Sequence, residues 1–373
     1  MKSSSDIIII GGGVIGCSIA WRLAQQGAKV TVIERGEPGL EASWAAAGKL
    51  DPHSEPLYGL RAPLLSLCEE SLSLYPAFVT ELEDQMGIHV GYQARGSLLV
   101  ATDYHEATLL SALVERQFQA GKVAEELSQK ELREFEPELS ESVEVGVYFP
   151  NDCFVNNREL MTALVSAAMK SKVNFLKNTP VIGLKFTRSK VSEVILPTGC
   201  LQADIVINAA GSWASLIDPT NRIPIPIRPI RGQIVCLQLP QQTLGHLTQS
   251  AKCYLVPWPD GRVIAGSTME NVGYNKEVTA KGVQQILTAA LEIVPSLASA
   301  SIREVWAGLR PGSQDALPLL GTTQFPNYII ASGHFRHGIL LAPITAKLIT
   351  DLILTGKTQL SLEPYRVDRF KSS

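Results

Sequence analysis

The stretch Ile7-Ile8-Ile9-Ile10-Gly11-Gly12-Gly13-Val14-Ile15-Gly16 decides the fold. Four β-branched residues favour a strand, and the glycines behind them end it in a turn. A helical stretch then runs to Gln26, and a second β-branched run, Lys29 to Ile33, stops at Glu34. Strand, glycine turn, helix, strand and acid in that order predict a dinucleotide-binding βαβ unit. Each glycine of Gly11-x-Gly13-x-x-Gly16 has its own reason. Gly11 makes the tight turn, Gly13 lets the backbone approach a pyrophosphate, and Gly16 lets the helix close on the strand. The helix N-terminus offers unpaired N–H groups and partial positive charge to phosphates. Glu34 ends the second strand, where a carboxylate accepts from a ribose diol. The same glycine spacing recurs by chance in ordinary α/β turns. The two strands, the helix and the terminal acid together favour the nucleotide reading.

Working outward, 373 residues are too many for one small domain, and two are expected. A hydrophobic share of 45% and a charged share of 18% suit a well-packed globular chain. The net charge of −3, with no basic run, argues against nucleic acid as a partner. Six cysteines lie scattered without metal-ligand spacing, so neither a metal site nor a disulfide framework is expected, and a reducing cytoplasm is the default. The first strand starts by residue 7, so no removable targeting peptide is expected. The uncharged run Ile7 to Trp21 imitates a signal core, but its four glycines and the βαβ pattern oppose that reading. No apolar run is long enough to span a bilayer, and no membrane association is expected.

Further along, residues 60–140 read as mostly helical, interrupted by a strand at Gly96 to Ala101. A helix from Asn157 to Ala168 leads to extended segments at Val173 to Phe175 and Thr179 to Leu184. Ala203 to Asn208 is a buried strand running into the glycine turn at Gly211. Between 223 and 300 the pattern becomes antiparallel: a strand at Gln233 to Leu239, then a hairpin of Cys253 to Pro257 and Arg262 to Ser267 around Pro259-Asp260-Gly261. A helix follows with Val283, Ile286, Leu287, Ala290 and Leu291 on one face. Tyr328 to Ala331 reads as another parallel strand, and Ile339 to Leu354 as helix. The segments interleave, so both domains are expected to be discontinuous.

Five segments in this order carry a resemblance: Gly11 to Gly16; Ser43 with Ala45-Ala46-Ala47-Gly48; Asn208-Ala209-Ala210-Gly211-Ser212-Trp213; Trp306-Ala307-Gly308-Leu309-Arg310-Pro311-Gly312; and Gly333-His334-Phe335-Arg336-His337-Gly338-Ile339-Leu340-Leu341-Ala342-Pro343. Over essentially its whole length the chain resembles the FAD-dependent D-amino acid oxidase superfamily, and within it the glycine oxidases of thiazole synthesis. That resemblance implies an α/β fold. A Rossmann-type FAD-binding domain (1–85, 145–222 and 300–373) would carry an interleaved α+β substrate domain (86–144 and 223–299) built on an antiparallel sheet. It implies non-covalent FAD, which the glycine fingerprint alone does not distinguish from NAD. By position, FAD would be held by Gly11, Gly13, Val14, Ile15 and Gly16, by Glu34 and Arg35 at the adenosine ribose, and by Ala42 and Ser43. The backbone of Ala47, Gly48 and Lys49 would run beside the isoalloxazine. Val181 would meet the adenine through its backbone, and Gly211 belongs to the nucleotide turn. His334, Phe335, Arg336, His337, Gly338, Ile339 and Leu340 would close over the pyrimidine end, where a glycine turn opening a helix places N–H groups near developing negative charge. Lys49 departs from the family pattern, which expects an apolar residue.

For substrate, the resemblance points to Arg310, Tyr254, Arg336 and Met269. Oxidising an amino acid at Cα by hydride transfer needs no acid–base residue of its own, only a held carboxylate and a readily deprotonated amine. A guanidinium fork suits that carboxylate. Each residue also has a plainer reading: Arg310 as a surface ion pair in a loop, Tyr254 as a half-buried strand tyrosine, Met269 as core, and Arg336 as a flavin contact. His334 and His337 read as scaffolding, while Lys252 and Trp258 would shape the entrance. The implied reaction converts glycine, sarcosine or D-alanine to the imino acid with O2 reduced to H2O2, supplying iminoacetate for thiazole synthesis. A homo-oligomer, such as a tetramer, and the thiazole synthase are the implied partners. A D-amino acid or N-methyl amino acid dehydrogenase using another electron acceptor is the alternative, and a non-catalytic FAD-binding protein is a third reading.

Overall fold

The computed structural model describes residues 5–54, 61–119, 121, 123–242 and 244–370. Residues 60, 120 and 122 of the expected helical stretch lie outside them. Ile7 to Ile10 are buried on both faces, as a central parallel strand requires. Ser5–Ile10 lies in parallel between Ala203–Asn208 and Val30–Ile33. Tyr328–Ser332 and Asn174–Leu176 extend the sheet in parallel on its two sides, and Leu319–Thr322 adds an antiparallel edge, making six strands.

The period of two along the first strand sorts its neighbours. Ile7 and Ile9 face a core shared with helices Val14–Gln25, Ala62–Met86, Asn157–Lys170 and Ala342–Thr355. Ile8 and Ile10 face the other side, against Leu184, Val191 and Val194 of a three-stranded antiparallel sheet spanning residues 183–201. Burying each such side chain contributes about 1.5–3 kcal/mol relative to exposure.

The second large sheet has eight strands in the order Ser301–Ser313, Ile227–Gln238, Arg262–Gly266, Tyr254–Pro257, Leu247–Gln249, Ser97–Val100, Val145–Phe149 and Glu125–Ser128. All its neighbours are antiparallel except Leu247–Gln249 with Ser97–Val100. Val235 and Leu237 turn outward to helix Ala280–Ile293, whose Ile286, Ala290 and Ile293 are buried there. Ile234 and Cys236 turn inward to Ala45, Ala47 and Trp306. This alternation sets one face of the sheet against a helix and the other against the nucleotide-binding side.

Three segments sit differently from the sequence expectation. Trp306 to Gly312 belongs to a thirteen-residue edge strand, Ser301–Ser313, whereas the plainer reading of Arg310 set it in a loop. The strand survives because Pro311 faces Pro229 in register, and a proline needs no donor on a sheet edge. Val145–Phe149 and Ser301–Ser313 also pair in the eight-stranded sheet, whereas the expected domain lines grouped them with the nucleotide-binding text. Ile339 to Leu341 form a turn, and the helix begins at Ala342, with Pro343 in its first turn.

Candidate active site

A cavity of about 770 Å³ runs between the two sheets, from Glu34, Pro180 and Val181 at one end to Tyr254, Met269 and Arg310 at the other. Such a volume suits a cofactor with a small substrate. Its nucleotide end is built from backbone. Gly11 has φ +107, and a Cβ there would lie 2.4 Å from the Ala209 carbonyl oxygen. A Cβ on Gly16 would lie 2.0 Å from the Gly11 carbonyl oxygen. Both glycines therefore let the chain pack on itself. Gly13 differs: a Cβ there would meet only Ser43 Oγ, at 3.3 Å, and the residue lines the cavity. Its missing side chain clears space for a ligand.

Gly13 is also the N-cap of helix Val14–Gln25 and has no side chain to satisfy the helix's first donors. The Val14 N–H donates to Ser43 Oγ at 2.9 Å. Gly12 and Gly36 N–H groups donate to Glu34 Oε2 and Oε1 at 2.7 and 3.0 Å, which fixes the carboxylate at the cavity wall. Glu34 is thus placed as an acceptor for a diol, next to a helix N-terminus suited to a pyrophosphate. The Arg35 guanidinium lies 3.5 Å from the centre of the Trp213 ring and pairs with Glu41. Trp213 and Glu41 both line the cavity.

The loop through Ala42, Ser43, Ala47 and Gly48 is clamped from outside. Asn157 Nδ2 donates to the Ser43 and Trp44 carbonyls at 2.7 and 3.0 Å, and Trp306 Nε1 to the Ala45 carbonyl at 3.0 Å. Gly48 has φ +77, and a Cβ there would stand 1.8 Å from the Val155 carbonyl oxygen. At the facing end, Phe335 takes φ +49 in the turn before the last helix, and His334, Arg336, Gly338 and Ile339 line the cavity beside it. Burial lowers the His334 imidazole to about 3, so it stays neutral; its Nε2 lies 3.0 Å from Thr345 Oγ1. A glycine cradle, a fixed acceptor and a helix N-terminus suit the pyrophosphate and ribose of FAD, with the second turn closing the far end.

The substrate end is built from side chains standing over glycines. Arg310 pairs with Ile230 across the edge of the sheet, and its guanidinium fills the space above Gly232, where a Cβ would come within 2.2 Å of Nη2. Nη2 donates to Ser267 Oγ at 2.6 Å and Nη1 to the Thr268 carbonyl at 3.1 Å. Tyr254 likewise stands over Gly266, its register partner on the next strand. Burial pushes its hydroxyl up, against the pull of Arg310 and Lys49, so it remains a protonated donor. Arg310 is therefore a strand residue of the cavity wall, not a loop arginine at the surface. Met269 is 59% exposed at the mouth, so it is not core. Trp258 is buried against Phe154 and does not line the cavity, whereas Lys252 lines it and reaches Glu292 and Asp103.

Lys49 has a local explanation. Its ammonium sits 2.8 Å from Asp51 Oδ2 and 2.8 Å from Gln249 Oε1, and 4.9 Å from the centre of the Tyr254 ring. The charge is paired within the wall. Of the expected cofactor residues, Gly16, His337 and Leu340 stand behind the wall, and the others line the cavity. Sequence reasoning missed Asp51, Ser54, Gln249, Ser267 and Gly232, which line it as well. Gly232 did carry a signal, because an isolated glycine inside a strand marks a close approach. Among the described residues no cluster of three or more metal-ligating side chains occurs, and no helix is long and apolar enough to cross a membrane.

Comparison with known proteins agrees with this architecture. The profile of the family described as FAD dependent oxidoreductase matches residues 6–352. The bifunctional protein ThiO/ThiG of Synechocystis is 36% identical over 379 residues, covering 99% of this chain and 55% of that protein. This chain thus spans about half the length of that relative. The glycine oxidase of Geobacillus kaustophilus is 33% identical over 375 residues, covering 99% of this chain and 98% of the other. A crystal structure of glycine oxidase from the same organism superposes with a TM-score of 0.95 at 31% identity, covering both chains completely. A match across nearly the whole sequence, joined to a dinucleotide cradle opposite a basic pocket, places the chain in the FAD-dependent oxidoreductase family.

Proposed function

We propose that this chain oxidises glycine and other small amines, such as sarcosine and D-alanine, at the carbon bearing the nitrogen. The observation that carries the reading is Arg310, held flat in the wall at the far end of a cavity whose other end is a glycine cradle. The names of the relatives support the substrate. Residues 1–85, 145–222 and 300–373 would hold FAD, through the fingerprint glycines, Glu34, Ser43 and the turn at His334 to Ile339. The remaining residues, with the Arg310 strand, would shape the substrate pocket.

Arg310 receives the substrate carboxylate, because a planar fork matches its two oxygens. Ser267, Thr268 and the bare Gly232 hold that fork in one plane, so binding costs little ordering of the side chain. Tyr254, kept protonated, donates a further hydrogen bond to the carboxylate. The Lys49–Asp51 pair leaves the amine facing a neutralised wall, where it loses a proton more readily than beside an uncompensated carboxylate. Neutral His334 adds no charge to the opposite wall. FAD bound in the cradle supplies the two-electron acceptor for the hydride of the substrate's Cα. With O2 as final acceptor the products are H2O2 and the imino acid, which water converts to glyoxylate and ammonia when the substrate is glycine. The fused relative supports delivery of iminoacetate to a thiazole synthase.

Purified, FAD-loaded protein tests this with a panel of glycine, sarcosine, D-alanine and D-proline. Anaerobic loss of the yellow colour with glycine, then peroxide on admitting air, is expected. A loaded protein that neither bleaches nor makes peroxide with any of the four contradicts the reading. Bleaching that only an artificial acceptor reverses would favour the dehydrogenase.

A further inference from the structure

Behind Arg310 lies a polar network that the proposed reaction does not itself use. Glu270 Oε2 accepts from Arg231 Nη2 at 2.5 Å, and Glu270 Oε1 accepts from Gln233 Nε2 at 2.7 Å and from Thr268 Oγ1 at 2.5 Å. Thr268 Oγ1 in turn accepts from the Gln233 N–H at 2.9 Å. The backbones of Arg231 and Glu270 exchange both hydrogen bonds, at 2.9 and 3.0 Å. Gln233 is fully buried and Arg231 nearly so. Arg231 Nη1 reaches on to the Glu277 carbonyl at 2.9 Å. The result is a rigid bracket around Thr268, whose carbonyl oxygen accepts from Arg310 Nη1.

We propose that Glu270 and Arg231 are positioning residues for substrate binding: through Thr268 they set the plane and reach of the Arg310 guanidinium. This rests on the reading of Arg310 as the carboxylate clamp. A neutral surface loop would hold Thr268 with ordinary turn bonds. Here a nearly buried guanidinium and a carboxylate converge on one residue, and that residue's carbonyl points at the clamp. Burial alone would raise the Glu270 carboxyl, but hydrogen bonds from Arg231, Thr268 and Gln233 bring it down to about 2. The bracket therefore stays ionised across the working pH range, and the clamp does not loosen by protonation of Glu270.

The test uses the FAD-loaded protein and acetate, which carries the carboxylate without an oxidisable amine. Acetate affinity is read from the change in flavin absorbance, alongside KM and kcat for glycine. In Glu270→Gln the Kd for acetate and the KM for glycine should both rise about tenfold, with the loss falling on KM and not on kcat. Thr268→Val removes the hydroxyl link but keeps the carbonyl, and should shift both in the same direction by about threefold. If Glu270→Gln fails to fold, Thr268→Val decides alone. A purely structural role would lower the melting temperature and FAD yield while leaving acetate affinity of the loaded protein at the wild-type value. That outcome overturns the proposal. Arg310→Ala, run in parallel, separates the two failures. If it loses acetate binding while the bracket variants keep it, positioning is wrong and the clamp stands. If Arg310→Ala itself binds acetate normally, the clamp reading falls and the bracket's role falls with it.

Discussion

The two ends of the cavity are made of different material. On the cofactor side the wall is mostly backbone, with Gly11, Gly13 and Gly48 and the N-terminus of helix Val14–Gln25. At the substrate end it is long side chains, Arg310 and Tyr254, laid over glycines of the neighbouring strands. A wall built mostly of backbone binds what every nucleotide shares, its phosphates, with the Glu34 carboxylate added for the ribose, and depends mainly on local chain geometry. A side-chain wall chooses among ligands and depends on contacts between strands far apart in sequence. Damage to the first should remove the cofactor; damage to the second should leave a yellow but poorly acting protein.

The largest effect is expected at the cradle. Gly48→Val drives a side chain into the Val155 carbonyl from a left-handed backbone position. Overpacking of this kind costs about 1–3 kcal/mol, and the wrong φ adds about 1–2 more. The purified variant should carry no yellow colour, which its visible spectrum checks. Next comes Arg310→Ala, which should raise KM about 30-fold or more, since losing one partner of a buried charged contact costs about 2–5 kcal/mol. FAD content should not change. If Arg310→Ala lost FAD as readily as Gly48→Val, the two ends would not be separable.

A pH effect of intermediate size belongs to the turn that closes the far end of the cofactor site. His334 is held near 3 by burial, whereas an unfolded histidine titrates near 6.5. Above about 6.5 both states are neutral and its contribution is fully present. As pH falls below that value, the unfolded chain takes up the proton first, and stability is lost progressively towards the folded value near 3, at most about 1.4 kcal/mol per pH unit. Denaturant titrations at several pH values should show this slope, and His334→Asn should flatten it. Tyr254→Phe removes one hydrogen bond to the substrate carboxylate and should raise KM about tenfold or more, for about 1.5–3 kcal/mol. Gly36→Ala is the smallest change. An added Cβ there meets nothing within 4 Å, so stability should stay within about 0.5 kcal/mol.

The same contrast explains what could be read before the structure. The cradle is local: the glycine spacing, the two isoleucine- and valine-rich strands and Glu34 fall within the stretch from Ile7 to Glu34, and each glycine answers to a steric demand of its own backbone. The substrate wall is not local. Lys49 looked out of place because the family pattern has an apolar residue there; of its partners, Asp51 is two positions away, but Gln249 lies 200 positions away. Arg310 could be read in the plainer way, as a loop arginine at the surface, because nothing near it in the sequence marks a strand. Only the pairing of Pro311 with Pro229, and of Gly308 with Gly232, shows why a strand persists there. The bracket of Arg231, Gln233, Thr268 and Glu270 left no sequence signature, because the antiparallel pairing that joins its parts emerges only on folding.

Anaerobic titration of glycine into FAD-loaded wild-type protein and its Arg310→Ala variant, followed by flavin absorbance, is the most direct test. Equal FAD content in the two, saturable bleaching of the wild type, and bleaching of the variant only at glycine concentrations about 30-fold higher or more are expected. A fully loaded variant that bleaches over the wild-type concentration range would contradict this.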